Sequence, residues 1–440
     1  METIKRIKKA LRSSGIETYR INKRHSCASE LFYIKKEIDI TRSVETTDYS
    51  VTVYRDFEAG GEKMRGSADT FIYTDMTDAE IENAIKKAYF AASFVKNKFY
   101  EIPAPEANAA ADAASACAYD LTAEAFKMAD ALFKADDLGE TCFLNSAEIF
   151  AKRSDVQVIN SKGIDVSYTE YSFNGEFVTQ CVENGQDVEL HTQFAYRAPE
   201  YDSLTQKVKD ALKNTKDRAA ASVPPLAGKY AVMLSGAHVA TLLDYYLSRA
   251  SGSMIYPGYS SWSKDTFVQG NAEGFSGEKL DITLKATRAY SAEGIPMKNR
   301  VLTDKGILKT VHSGARFAYY LGIEPTGDYS AMECSNGSLS LEDMRAAVGS
   351  VNDKVLYVAA FSDFQTDEFS GHFGGEIRLA YLYEKDEKGA LKVRLLTGGS
   401  INGSILEAQG SLTFSKERYK DNSYEGPFAV RIDNINVAGV

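Results

Sequence analysis

The stretch Glu293-Gly-Ile-Pro296-Met-Lys-Asn-Arg300-Val-Leu-Thr303-Asp304-Lys-Gly306-Ile307-Leu-Lys-Thr-Val311-His312 runs on through Ala315-Arg-Phe-Ala-Tyr-Tyr-Leu-Gly322 to Pro325-Thr326-Gly327. Gly294 and Pro296 end one element, and Arg300 to Thr303 starts a strand. Asp304-Lys-Gly306 is a tight turn, from which Ile307 to Val311 returns as the hairpin partner. A helix follows to Gly322. Hairpin-then-helix is a common unit, so the order of particular residues within it carries the information.

Outward from this stretch, the C-terminal unit begins with the strand Gly228-Lys-Tyr-Ala-Val-Met-Leu234, followed by a helix reading Ala237-His238-Val-Ala-Thr-Leu-Leu-Asp244-Tyr245-Tyr-Leu-Ser-Arg249-Ala-Ser-Gly252. Val239, Leu242, Leu243, Tyr246, Leu247 and Ala250 recur at the helical period, so one stripe faces a core. Ser235 is expected to cap this helix. Leu356–Phe361, Gly375–Tyr383, Leu391–Leu395 and the closing Gly426–Gly439 segment read as strands, with Asp386-Glu-Lys-Gly389 as a hairpin turn.

These ordered residues resemble the TldD/PmbA family over at least residues 224–440. The resemblance implies a cytoplasmic peptidase subunit, several members being known as modulators of DNA gyrase. Two paralogous types pair: a zinc-bearing TldD-like chain and a PmbA-like (TldE-like) chain without the metal motif. The zinc-bearing type has His-Glu-x-x-x-His on the helix matching Ala237–Gly252. By that match Asp244 and Tyr245 replace the leading pair, and Arg249 takes the second histidine position. A fixed guanidinium there opposes metal binding. The zinc-bearing paralogues also use a cysteine near the C-terminus, whereas no cysteine follows Cys334 here.

The histidines agree without reference to any relative. His25, His191, His238, His312 and His372 are scattered, and no two share a short element, as zinc sites in enzymes usually require. His372, in Ser370-Gly-His372-Phe-Gly-Gly-Glu376, lies in a glycine-rich run read as a bulge or turn between strands. Cys27, Cys117, Cys142, Cys181 and Cys334 are odd in number and contain no C-x-x-C pair, so neither a disulfide framework nor a zinc knuckle is expected. We expect no metal and no cofactor on this chain, with zinc in the partner subunit.

At 440 residues the chain is expected to form three units. The fold class is α+β and multi-domain. A small N-terminal α+β domain covers 1–100, a hairpin-rich curved-sheet domain 115–222, and a large mainly antiparallel β-sheet domain with helices 224–440. Thr77-Asp-Ala-Glu80 is a capping box, and Asn160-Ser-Lys-Gly163, Asn174-Gly175 and Asn184-Gly185 are read as hairpin turns. Pro224-Pro225 stops the helix that closes the middle domain. The alanine- and proline-rich segment from Ile102 to Ser115 is a linker.

A net charge of −10 argues against direct nucleic-acid binding. No run reaches membrane-spanning length and the start has no apolar signal core, so a cytoplasmic location is expected. Ser261-Trp-Ser-Lys264 fits S-x-x-K but lacks its companion motifs, and Gly398–Ser404 lacks the lysine of a P-loop. Tyr256, Tyr259 and Trp262 follow the diagnostic helix in a loop and, with His372, are candidates for a peptide cleft or interface; the same aromatics suit a half-buried core.

The function this implies is a non-zinc subunit that binds and encloses unfolded peptides for the zinc site of a TldD-like paralogue. Whether the chain is itself an enzyme stays open. The alternatives are a self-associating hydrolase with an unrecognised site, which includes a homodimer, and a non-proteolytic interaction protein that modulates DNA gyrase.

Overall fold

The computed structural model describes residues 2–105, 118–183, 185–346 and 354–440. Most of the expected linker, Cys117 and Asn184 lie outside them. The N-terminal half runs α1 (Glu2–Ser13), β1 (Tyr19–Ile34), β2 (Glu37–Ala59), β3 (Glu62–Tyr73), α2 (Asp78–Ala92), α3 (Leu121–Lys134), β4 (Cys142–Asn160), β5 (Asp165–Glu183), β6 (Gln186–Tyr196) and α4 (Tyr201–Ala220). Its six strands form one antiparallel sheet in the order β3-β2-β1-β4-β5-β6. Backbone pairing crosses the gap between residues 100 and 115, since β1 joins β4 from Arg20↔Asn160 to Ile34↔Ser146. The segments expected as two domains therefore share a single sheet.

Alternation puts Ile21, Val51, Val53 and Ile72 on one face of that sheet, under α1 and α2. Leu31, Ile149, Ala151 and Phe173 lie on the same face farther along, under α3 and α4. Each helix follows from its own sequence. On α1, Ile7 and Leu11 are fully buried at helical spacing, each burial stabilising by roughly 1.5–3 kcal/mol. The Thr77–Glu80 capping box opens α2, and Asp120 caps α3 by accepting from the Thr122 and Ala123 amides.

Two expectations about this half are corrected. Asn174-Gly175 is not a turn: both residues lie inside β5, opposite Phe150 and Ile149. Gly175 is needed there for close approach, because a Cβ would sit 2.0 Å from the Glu148 carbonyl oxygen. Cys142 and Cys181 are not free: the β4–β5 register sets them opposite each other, and they are joined by a disulfide.

The C-terminal half comprises β7 (Gly228–Ser235), α5 (Ala237–Arg249), α6 (Gly252–Ile255), β8 (Ile282–Leu284), β9 (Arg300–Asp304), β10 (Ile307–Leu308), α7 (Ala315–Leu321), β11 (Met332–Cys334) and α8 (Leu341–Arg345). It continues with β12 (Lys354–Thr366), β13 (His372–Lys385), β14 (Leu391–Leu396), β15 (Ser400–Ser404), α9 (Ile405–Ala408), β16 (Thr413–Phe414), β17 (Arg418–Lys420), β18 (Tyr424–Pro427) and β19 (Ala429–Ala438). Two sheets, ordered β10-β9-β8-β11-β18-β17 and β12-β7-β19-β15-β13-β14, enclose with α5 one large core. Among the named strands of the described residues, pairing is antiparallel except at β7–β12 and β11–β18. The whole is an α+β protein, mostly strand, whose sheets include a curled half-barrel. No helix among the described residues is long and apolar enough to cross a membrane.

The opening stretch forms its hairpin and helix. Lys305 and Gly306 both have positive φ in the β9–β10 turn, and α7 ends on a left-handed Gly322. The ladder closes earlier than expected, at Leu308. The chain then turns so that buried His312 reaches the Leu247 carbonyl through Nε2 at 2.9 Å. This stretch also joins the two halves: Arg316 donates to Asn97 at 3.1 Å, Asn22 donates to the Ala292 carbonyl, and Glu293 faces Arg20.

Candidate functional site at the end of helix α5

Gly236, at φ +59, lets the chain leave β7 and enter α5 directly, and it occupies the cap position without a side-chain cap. Ser235 is thus not the cap, contrary to the sequence expectation; its hydroxyl meets that of Tyr357 at 2.9 Å. The predicted apolar stripe of α5 is buried, and Tyr245 joins it at 2% exposure. Asp244, one position earlier, stays exposed. Partial desolvation and then the Glu368 carboxylate raise its pKa.

Arg249, in the last turn, is the hub. Its Nη1 donates to the Tyr259 carbonyl and to the Phe369 carbonyl at 3.2 Å, and the guanidinium lies 5.8 Å from the Tyr245 ring centre. One cation therefore ties α5 to the 256–262 loop and to the turn before β13. That turn is self-supported, with Asp367 accepting from the Ser370 amide and hydroxyl at 2.6 and 2.7 Å. These bonds hold the Asp367 carboxyl below the usual range. Gly371 has φ +73, and an added Cβ would lie 3.2 Å from the Tyr245 ring.

The other candidates divide around this hub. Tyr259 packs edge-on against Phe369 at 5.3 Å and is 58% exposed. Trp262 is half-buried against Tyr245 and Tyr246, at 6.1 and 5.8 Å. His372 follows Gly371 directly and is exposed, its Nδ1 3.0 Å from the Ser370 hydroxyl. Tyr256 stands apart, packed on Tyr320 at 4.8 Å. The fold thus gathers Asp244, Tyr245, Arg249, Tyr259, Trp262 and His372 and leaves Tyr256 against α7.

A zinc ion at this place does not fit the side chains present. Zinc takes deprotonated nitrogen, sulfur or oxygen donors at about 2.0–2.3 Å. Arg249 offers only donor N–H groups beside two already occupied carbonyls, and burial keeps the Tyr245 phenol protonated by raising its pKa. His238, on the first turn of α5, packs edge-on against Phe361 and Phe364. Burial lowers its pKa to about 4, which fits a packed neutral ring.

Sequence reasoning missed a second opening. A cavity of 410 Å³ lies where the N-terminal sheet meets the C-terminal half, lined by Arg24, Lys152, Glu170, Arg197 and Asn422 among others. Arg24 pairs with Glu170 at 2.7 Å, and Arg197 donates to the Asn422 carbonyl. Strand register and the loops holding Arg197 and Asn422 bring these residues together, so no local motif announced them.

Residues 227–439 match the family profile described as PmbA/TldA metallopeptidase C-terminal domain. No curated protein matches the chain. Among solved structures, TldE from Thermococcus kodakarensis superposes with a TM-score of 0.77 at 17% identity, covering 99% of this chain and 100% of that one. A protein described as a proposed modulator of DNA gyrase from Bacteroides thetaiotaomicron gives 0.74 at 16% identity, covering 100% and 99%. One so described from Thermotoga maritima gives 0.70 at 14%, covering 99% of each chain. At these identities the structural likeness speaks for the fold, and it extends over the full length. The profile match over residues 227–439 and the full-length likeness in fold together support a TldD/PmbA family assignment.

Proposed function

We propose that this chain is a PmbA/TldE-like, non-zinc subunit of a cytoplasmic TldD/TldE-type peptidase, binding and enclosing unfolded peptides for the zinc site of a TldD-like paralogue. One observation supports the reading: Arg249, where the family resemblance puts a metal-binding histidine, donates instead to the Tyr259 and Phe369 carbonyls. In the partner, a zinc-bound water would attack the peptide carbonyl. This chain would contribute surface and positioning. The 410 Å³ cavity, with Lys152 and the Arg24–Glu170 pair, supplies charged and hydrogen-bonding groups suited to a peptide backbone and its termini.

The test mixes the purified chain with a TldD-like partner and an unfolded peptide. Cleavage should require both chains, and cleavage at full rate by the partner alone would remove the proposed role. A second reading, direct modulation of DNA gyrase without proteolysis, is favoured by how two of the structural relatives are described. Binding of this chain to gyrase with no TldD-like chain present would support it; strict dependence on such a chain would count against it.

A further inference from the structure

The N-terminal sheet holds the donors that α5 lacks. Strand alternation puts His25 and Cys27 on one face of β1. The β1–β2 register sets Glu45 directly across from Cys27 and Thr47 across from His25. Cys27 Sγ lies 3.7 Å from His25 Nε2, and Glu45 Oε1 lies 3.7 Å from the same nitrogen. All three donor atoms fall within 4.8 Å of one another. Around a tetrahedral ion bound at about 2.0 Å to nitrogen or oxygen and about 2.3 Å to sulfur, donors stand about 3.3–3.6 Å apart. Small side-chain rotations would close the set.

The imidazole is already oriented. His25 Nδ1 lies 2.9 Å from the Thr47 hydroxyl; in the tautomer that donates this bond, Nε2 turns its lone pair toward Cys27 and Glu45. Such a bond on the far ring nitrogen is the usual outer contact of a metal-ligating histidine. A fixed cation, Arg153, pairs with Cys27 in the β1–β4 register. Its guanidinium is committed to Asp155, through Nη2 at 2.9 Å and Nε at 3.3 Å. Asp155 stands across from His25 and adds negative charge beside the ring.

We propose that His25, Cys27 and Glu45 form a three-donor site for a zinc-class divalent ion, remote from α5, with its fourth position open to water. This departs from the sequence expectation that the chain carries no metal, and it does not depend on the subunit role proposed above. The mixed nitrogen, sulfur and oxygen set suits zinc rather than magnesium or calcium, which take oxygen. On coordination the Cys27 thiol gives its proton to solvent, and the ion staples β1 to β2 midway between the helix pairs α1/α2 and α3/α4.

Cobalt(II) titration of the full chain in a phosphine reductant tests the site. The expected result is one bound equivalent, with a thiolate-to-cobalt charge-transfer band and tetrahedral d–d absorption, both bleached by zinc. Cys27→Ser should abolish the charge-transfer band, and Thr47→Val, which keeps every donor, should weaken affinity about 10-fold. Glu45 is 73% exposed, so Glu45→Gln leaves the fold least disturbed and should also weaken binding; circular dichroism verifies each variant. No charge-transfer band in the wild type overturns the proposal. So does a band that survives Cys27→Ser, which would assign the thiolate to reduced Cys142 and Cys181 beside Glu183.

Discussion

The end of α5 and the middle of β1 make opposite uses of similar chemistry. On α5 a side-chain cation gathers two backbone carbonyls; between β1 and β2 an imidazole, a thiol and a carboxylate converge with no cation of their own among them. The first arrangement needs no added ion, since Arg249 brings its charge with it. The second gains only when an ion arrives. The difference teaches that one guanidinium can tie a helix end to two loops by itself, while an unremarkable pair of strands can assemble donors through register alone.

The largest effect should come from Tyr245→Ala, which empties a site of 2% exposure beneath the hub. It should cost about 3–5 kcal/mol by urea unfolding; a loss below about 1 kcal/mol would show that the hub does not rest on this ring. Next is acid. Burial, with Lys207 adding to it, holds His238 near about 4 in the folded chain against 6.5 ordinarily. The unfolded chain then binds more protons between those values, so folding stability falls as pH drops from about 6.5 to about 4, by about 3 kcal/mol at most. His238→Phe should flatten that part of the pH–stability curve.

Arg249→Ala strands the Tyr259 and Phe369 carbonyls and should cost about 2 kcal/mol. Added zinc should not restore the loss; a zinc-dependent rise in Tm confined to this variant would break the contrast between the two regions. Smallest is Cys27→Ser in metal-free protein, expected within about 0.5 kcal/mol of wild type. A larger loss would mean that the thiol already serves the apo fold.

What was legible in the sequence was local chemistry. Asp304-Lys-Gly306, the Gly322 terminus, the Thr77–Glu80 capping box and the apolar stripe of α5 each state their structure within a few residues. The register-dependent features were not. Asn174-Gly175 has the composition of a turn, yet Gly175 sits mid-strand because the Glu148 carbonyl passes too close for a side chain. Cys142 and Cys181 are 39 positions apart and meet only because β4 and β5 pair. Glu45 reaches Cys27 for the same reason. In the site, the sequence showed an aspartate, a tyrosine and an arginine on α5, whereas Arg249's two carbonyl partners come from loops whose paths no spacing predicts.

The pairing of Arg20 with Asn160 sets a timetable for the nascent polypeptide. A ribosome that has released only the first hundred residues has made β1, β2 and β3 but not the strand that covers the other side of β1. That bare margin, about fifteen residues long, would invite pairing with a neighbouring chain until synthesis passes β4. Closure between such distant segments is slow, so production of this protein should be sensitive to anything that stalls translation shortly after β3.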